Sequence, residues 1–147
     1  MKISFKGDYA IKIILDLSIN YGNDRIQIKD ISKRQDIPFK YLQQLVLQLR
    51  DAGYIKTKKG AKGGISLAKP PKNITLGEII EVVEGTLSPI ACINNLSPVN
   101  CKDVNNCVLR PIWIKVKNAI ENIVNDITFE ELAKKFATIE SNYSYVI

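Results

Sequence analysis

A mainly α-helical fold carrying one small β-hairpin is predicted by three observations. Apolar residues recur at helical spacing over most of the chain, a glycine- and lysine-rich turn interrupts them before the middle, and a heptad-like stripe occupies the last third. The 147 residues, 46% of them hydrophobic, suffice for one ordinary domain with a short appendage. No leading apolar stretch of signal type and no run of membrane-spanning length is present, so a soluble cytoplasmic protein with no membrane partner is expected.

The first element spans residues 8–21. Apolar side chains at 11, 14 and 15 form one helical face and those at 10, 13 and 17 widen it, which suits a helix in the middle of a packed domain. Gly22, Asn23 and Asp24 end it. A short helix over residues 29–35 then buries Ile28 and Ile31, and a tight turn at Asp36 and Ile37 leads to a second helix. Pro38 suits the first turn of that helix, where its missing N–H costs nothing. Phe39, Leu42, Leu45, Val46 and Leu49 share one face of it; Lys40, Gln43, Gln44 and Gln48 occupy the other; Gly53 closes it. Two short helices joined tightly, the second with an amide-rich outer face, form a helix-turn-helix pattern.

The continuation adds a hairpin. Residues 54–57 and 64–67 are short strand candidates around a turn of lysines and glycines. From Ile55 to Gly77 there is no acidic residue, while lysines stand at 56, 58, 59, 62, 69 and 72. Small residues such as Gly63 admit close backbone approach to a phosphate, and the lysines supply charge. A helix-turn-helix followed by a basic hairpin is the order of a winged helix. The charge follows the same division. Residues 1–72 hold 15 Lys and Arg against 6 Asp and Glu, and residues 73–147 hold 6 against 9, so the front half is the one suited to a polyanion.

Thr75 and Glu78 have capping-box spacing, predicting a helix over Leu76–Glu84 with Gly85 as its stop. Residues 86–107 read as irregular. From Leu109 the spacing turns regular again: Leu109, Trp113, Val116, Ile120, Ile123 and Ile127 fall at alternating steps of four and three. Such a stripe predicts a long helix that pairs with its own copy across a two-fold axis, or packs within its own domain. Thr128 and Glu131 form a second capping box that opens a short last helix. The expected organisation is residues 1–85 as a winged helix-turn-helix, 86–107 as a cysteine-containing loop, and 108–147 as a dimerisation helix with a C-terminal helix.

No histidine occurs. That excludes Ser-His-Asp and Cys-His catalysis, the commonest zinc ligand, and histidine pH sensing. With no phosphate-cradling glycine motif and no acid/base pair, an enzyme is not expected. The three cysteines, Cys92, Cys101 and Cys107, lack the paired two-residue spacing of zinc knuckles. They read either as unligated thiols or as three ligands of an iron–sulfur cluster completed by a carboxylate, another side chain or a small molecule.

The order of these pieces resembles one family closely, the bacterial winged-helix regulators of the Rrf type, which include the iron–sulfur regulator IscR and the nitric-oxide sensor NsrR. The matching stretches are MKISFKGDYAIKIILDLS, DISKRQDIPFKYLQQLVLQLRDAGYI, KGAKGGISLAKPPKNITLGEIIEVVEG, CVLRPIW and ITFEELAKK. The resemblance implies a dimeric DNA-binding repressor or activator. It implies that three cysteines in this loop commonly hold a 2Fe–2S or 4Fe–4S cluster, although other members carry none. An IscR-like member would offer a histidine shortly after the third cysteine, and this chain has Arg110 there. Asp8 stands where NsrR-like members place an aspartate that reaches the partner's cluster, so the implied ligand set is Cys92, Cys101, Cys107 and Asp8. Read alone, Asp8 complements the N-terminus of its own helix.

Together these readings place the helix from Pro38 in the major groove of double-stranded DNA, with Lys40, Gln43 and Gln44 within reach of bases. Tyr41 and the hairpin lysines, Lys58, Lys59 and Lys62 foremost, would hold phosphates or enter the minor groove. Two rivals are a cofactor-free regulator controlled by a partner or metabolite, and an interaction module whose basic surface binds an acidic protein or RNA.

Overall fold

The structure, a computed structural model, describes residues 2–94 and 101–144. Helix α1 (Phe5–Ile19) is its centre, in contact with the helix-turn-helix, the hairpin and the C-terminal helix. It starts earlier than the apolar periodicity indicates because Ser4 caps it, the hydroxyl accepting from the Gly7 N–H at 3.2 Å. Ala10, Ile13, Ile14 and Leu17 are buried, whereas Ile11 and Leu15 are only half-buried. Both sets meet the core: Ile14 is fully buried with the widened face, and Ile11 and Leu15 pack against the same core.

Helices α2 (Ile28–Gln35) and α3 (Phe39–Asp51) are joined by a turn in which Asp36 adopts φ 51° and Ile37 is buried. Pro38 is the N-cap of α3, with φ −54° and ψ 126°, and so stands just ahead of the first turn. Leu42, Leu45, Val46 and Leu49 bury the inner face of α3 as their spacing predicts. Phe39 does not join them: it is 45% exposed. The first residue of a helix lies at its end, where the ring can turn outward beyond the core.

Strands β1 (Ile55–Lys58) and β2 (Gly64–Leu67) form the antiparallel hairpin, with Ile55 opposite Leu67 and Lys58 opposite Gly64. Ile26 exchanges backbone hydrogen bonds with Ile65 at 3.0 and 2.8 Å, fastening the hairpin to the start of the helix-turn-helix. Helix α4 (Leu76–Glu84) has the full Thr75–Glu78 capping box and ends at Gly85, whose φ of 83° favours glycine.

Helices α5 (Arg110–Asp126) and α6 (Phe129–Ser144) complete the chain. The last helix is 16 residues long, so the short element expected there is corrected. Its N-terminal turn is stitched to the start of α4: the Phe129 N–H donates to the Ile74 carbonyl at 3.0 Å, and the Leu76 N–H to that of Ile127 at 2.9 Å. Phe129 is fully buried in the same core as α1 and α3. A smaller cluster of Ile80, Leu87 and Val124 joins α4 to α5. Among the described residues no helix is long and apolar enough to cross a membrane.

Candidate nucleic-acid interface and cysteine segment

The outer side of α3 and the hairpin enclose one groove. Phe39, Gln43, Leu47 and Arg50 line it from the helix, and Lys58 and Lys59 from the hairpin. The helical residues follow because positions 39, 43 and 47 stand four apart and share a face. Lys40 and Gln44 are also exposed, as is Pro38, but they do not line the groove. Lys58, Lys59 and Lys62 are exposed and enter no ion pair among the described residues, so their charge is uncommitted.

Two expected contacts have other employment. Tyr41 is half-buried, its ring edge-on to Tyr9 with centroids 5.8 Å apart, which ties α3 to α1. Gly63 is buried; its N–H donates to the Gly60 carbonyl at 2.9 Å, and its own carbonyl accepts from Gln27 Nε2 at 2.8 Å. A Cβ at Gly63 would collide with the Lys58 and Gly60 carbonyl oxygens. The glycine is therefore required by the turn itself, and its N–H is not free for a phosphate.

Sequence reasoning missed the network beneath this surface. Asp16 is buried, accepting from Arg34 Nη2 at 2.6 Å, Arg34 Nε at 3.1 Å and Gln35 Nε2 at 2.9 Å. The hydrogen bond to Asp16 is the main cause that raises the Arg34 pKa above its ordinary value. The available signal was a single carboxylate set between Leu15 and Leu17 on an apolar helix. Gln48, expected on the polar face, instead donates to the Val82 carbonyl at 2.8 Å and fixes α3 to α4.

The cysteines are free thiols. Cys92 lies in a short 3-10 turn (Ala91–Ile93) and is half-buried, like Cys107, and Cys101 is exposed. Residues 95–100 of the expected irregular loop lie outside the described residues. Arg110 Nη1 donates to the Cys92 carbonyl at 3.3 Å. Asp8 sits in the first turn of α1 with its carboxylate 2.8 Å from Lys12 Nζ. Among the described residues, no three Cys, Asp or Glu side chains converge as a metal-binding group. Arg110, which has no metal-ligating atom, follows the third cysteine, and Asp8 pairs with Lys12, so the described donors of one chain are not gathered at one point.

On α5 only Val124 is buried. Leu109 and Ile123 are 58% and 63% exposed, Trp113 and Val116 half-buried, and Ile120 half-buried against the Ile80–Leu87–Val124 cluster. Among the described residues, Leu109 and Ile123 of the stripe are largely uncovered and the other three partly covered.

Residues 3–135 match the Rrf2 family, described as an iron-dependent transcriptional regulator. The HTH-type transcriptional regulator CymR of Bacillus subtilis is 33% identical over 147 residues, covering 100% of both chains. The HTH-type transcriptional regulator IscR of Vibrio atlanticus is 31% identical over 140 residues, covering 95% of this chain and 79% of that one. The solved structure of B. subtilis CymR, described as the global cysteine regulator, has a TM-score of 0.76 at 33% identity, covering 92% of this chain and 98% of that chain. These relatives are regulators, not enzymes, and they share the helix-turn-helix and hairpin built above. The chain belongs to the Rrf2 family of winged-helix transcriptional regulators.

Proposed function

We propose that this protein acts in the cytoplasm as a homodimer that grips duplex DNA through α3 and the hairpin, and that its cysteine segment receives the signal. The observation that carries the DNA contact is the shared groove, which Gln43 lines together with Lys58 and Lys59. In this reading Lys40, Gln43 and Gln44 address base edges, while Lys58, Lys59 and Lys62 address phosphates. Residues 1–85 then bind DNA, 86–107 respond, and 108–147 dimerise, with Leu109, Trp113, Val116, Ile120 and Ile123 along the seam. A two-fold dimer presents two copies of α3 and calls for a roughly palindromic site.

The test is binding titration at several salt concentrations. Each lysine-to-alanine change at 58, 59 or 62 is expected to weaken binding to all duplexes alike and flatten the log–log salt slope by about 0.9 per lost phosphate contact. A lysine whose loss alters sequence preference at constant slope reads bases instead. RNA competing as well as duplex DNA would overturn the DNA reading itself.

For the signal, we favour regulation without a resident cofactor. The engaged Asp8, the guanidinium at Arg110 and the relative described as a cysteine regulator support it. The second reading is an iron–sulfur cluster, 2Fe–2S or 4Fe–4S, on Cys92, Cys101 and Cys107 with Asp8 of a second copy. Its support is the family description and the three thiols. Purification without air, with iron and sulfide analysis, separates the two. Stoichiometric iron and a visible chromophore, lost on replacing any one cysteine by alanine, would establish the cluster; none after anaerobic reconstitution leaves the cofactor-free regulator.

A further inference from the structure

Two large apolar side chains of the groove are left exposed, Phe39 and Leu47, and Phe39 is the one at the N-terminal end of α3. Phe39 opens α3, is 45% exposed, and lines the groove with Gln43 one helical turn on. An aromatic ring left half in water forgoes apolar contact that burial would supply. The groove's rim is cationic through Lys58 and Lys59, which suits a polyanion over an apolar protein segment.

We propose that Phe39 is a specificity-determining residue that reads thymine. In a helix-turn-helix the N-terminal residues of the second helix approach base edges. In the major groove only thymine presents a methyl group, and an aromatic ring is a suitable apolar contact for it. Gln43, on the same face, is placed to pair with an adenine N6 and N7 next to that thymine, so the two side chains together select a thymine–adenine neighbourhood in each half-site. Lys58, Lys59 and Lys62 hold the backbone and carry no sequence information. This inference rests on the DNA-binding reading and adds a base identity to it.

The experiment begins with selection of binding sites from a random duplex pool by the full-length protein. In the selected site each thymine is then replaced by uracil, which differs only by the lost methyl. Wild-type protein is expected to lose about fourfold in affinity at one position per half-site, the value of one buried methyl. Phe39→Ala is expected to bind the thymine and uracil duplexes equally, with the wild-type salt slope. Phe39→Leu, which keeps apolar surface, should retain part of the discrimination. Phe39→Gln repeats the test should the alanine variant lose helix content. The proposal is overturned if no uracil substitution matters to the wild type, or if the alanine variant discriminates as well as it does. Failure of the DNA-binding reading looks different, since then no duplex is enriched at any stage.

Discussion

Asp16 is the only buried charged side chain among the described residues, and its position explains how the helix-turn-helix is held. Removing a buried carboxylate leaves Arg34 without its partner and Gln35 without its acceptor. Breaking such a pair is costly in the interior, but the Arg34 side chain is 47% exposed and can rehydrate. Asp16→Ala is therefore expected to lower stability by about 2–3 kcal/mol in urea unfolding, with Asp16→Asn losing less because one carbonyl acceptor remains. A loss below about 0.5 kcal/mol would mean that water replaces the pair. Because α2 sets the angle of α3, the same variant should weaken DNA binding without changing the salt slope. The composition of the residue made this legible in part: a carboxylate inside an apolar run is conspicuous, but its partner, 18 positions on, is not inferable from spacing.

At the scale of elements, α5 buries only Val124 among the described residues. Ile123 is 63% exposed and outside both described core clusters, whereas Ile120 rests on the Ile80–Leu87–Val124 cluster. A charge at Ile123 thus tests association separately from folding. Ile123→Asp should leave thermal stability of the isolated chain near wild type yet yield monomers by light scattering, since a carboxylate is costly in an apolar seam. Ile120→Asp should harm both properties. If Ile123→Asp retains the dimer mass, α5 is not the seam. The start of α6 carries its own pH dependence. The Thr128 backbone N–H and hydroxyl both donate to Glu131, lowering its pKa below the ordinary glutamate value, with the backbone bond the largest cause. A lowered folded pKa means that the cap contributes above the unfolded pKa and is lost as pH falls through the folded one. The Thr128 amide resonance is therefore expected to titrate in acid with a midpoint below that of a free glutamate, and in Glu131→Gln that step should vanish.

For the molecule as a whole, Phe129 decides whether the C-terminal helices are an appendage or part of the fold. It is fully buried in the core shared by α1 and α3, and its N–H is bonded to Ile74. Phe129→Ala is expected to cost about 3–5 kcal/mol, the range for a deleted buried aromatic ring, and to lower a single unfolding transition. Two separate transitions would show that the halves fold independently. The local elements were determined by the sequence because their causes are local. Capping boxes at Thr75 and Thr128, the αL stop at Gly85 and the periodicity of α3 each lie within a few residues. Charge segregation likewise marked the hairpin, since no acidic residue occurs from Ile55 to Gly77. Only the tertiary structure decided the outward turn of Phe39, the internal bonding of Gly63, the engagement of Tyr41 by Tyr9 and the return of Phe129 to the core. Each depends on a neighbour brought near by the fold. Periodicity states that a side chain is apolar and which face it shares, but burial is settled by which other elements arrive to cover it.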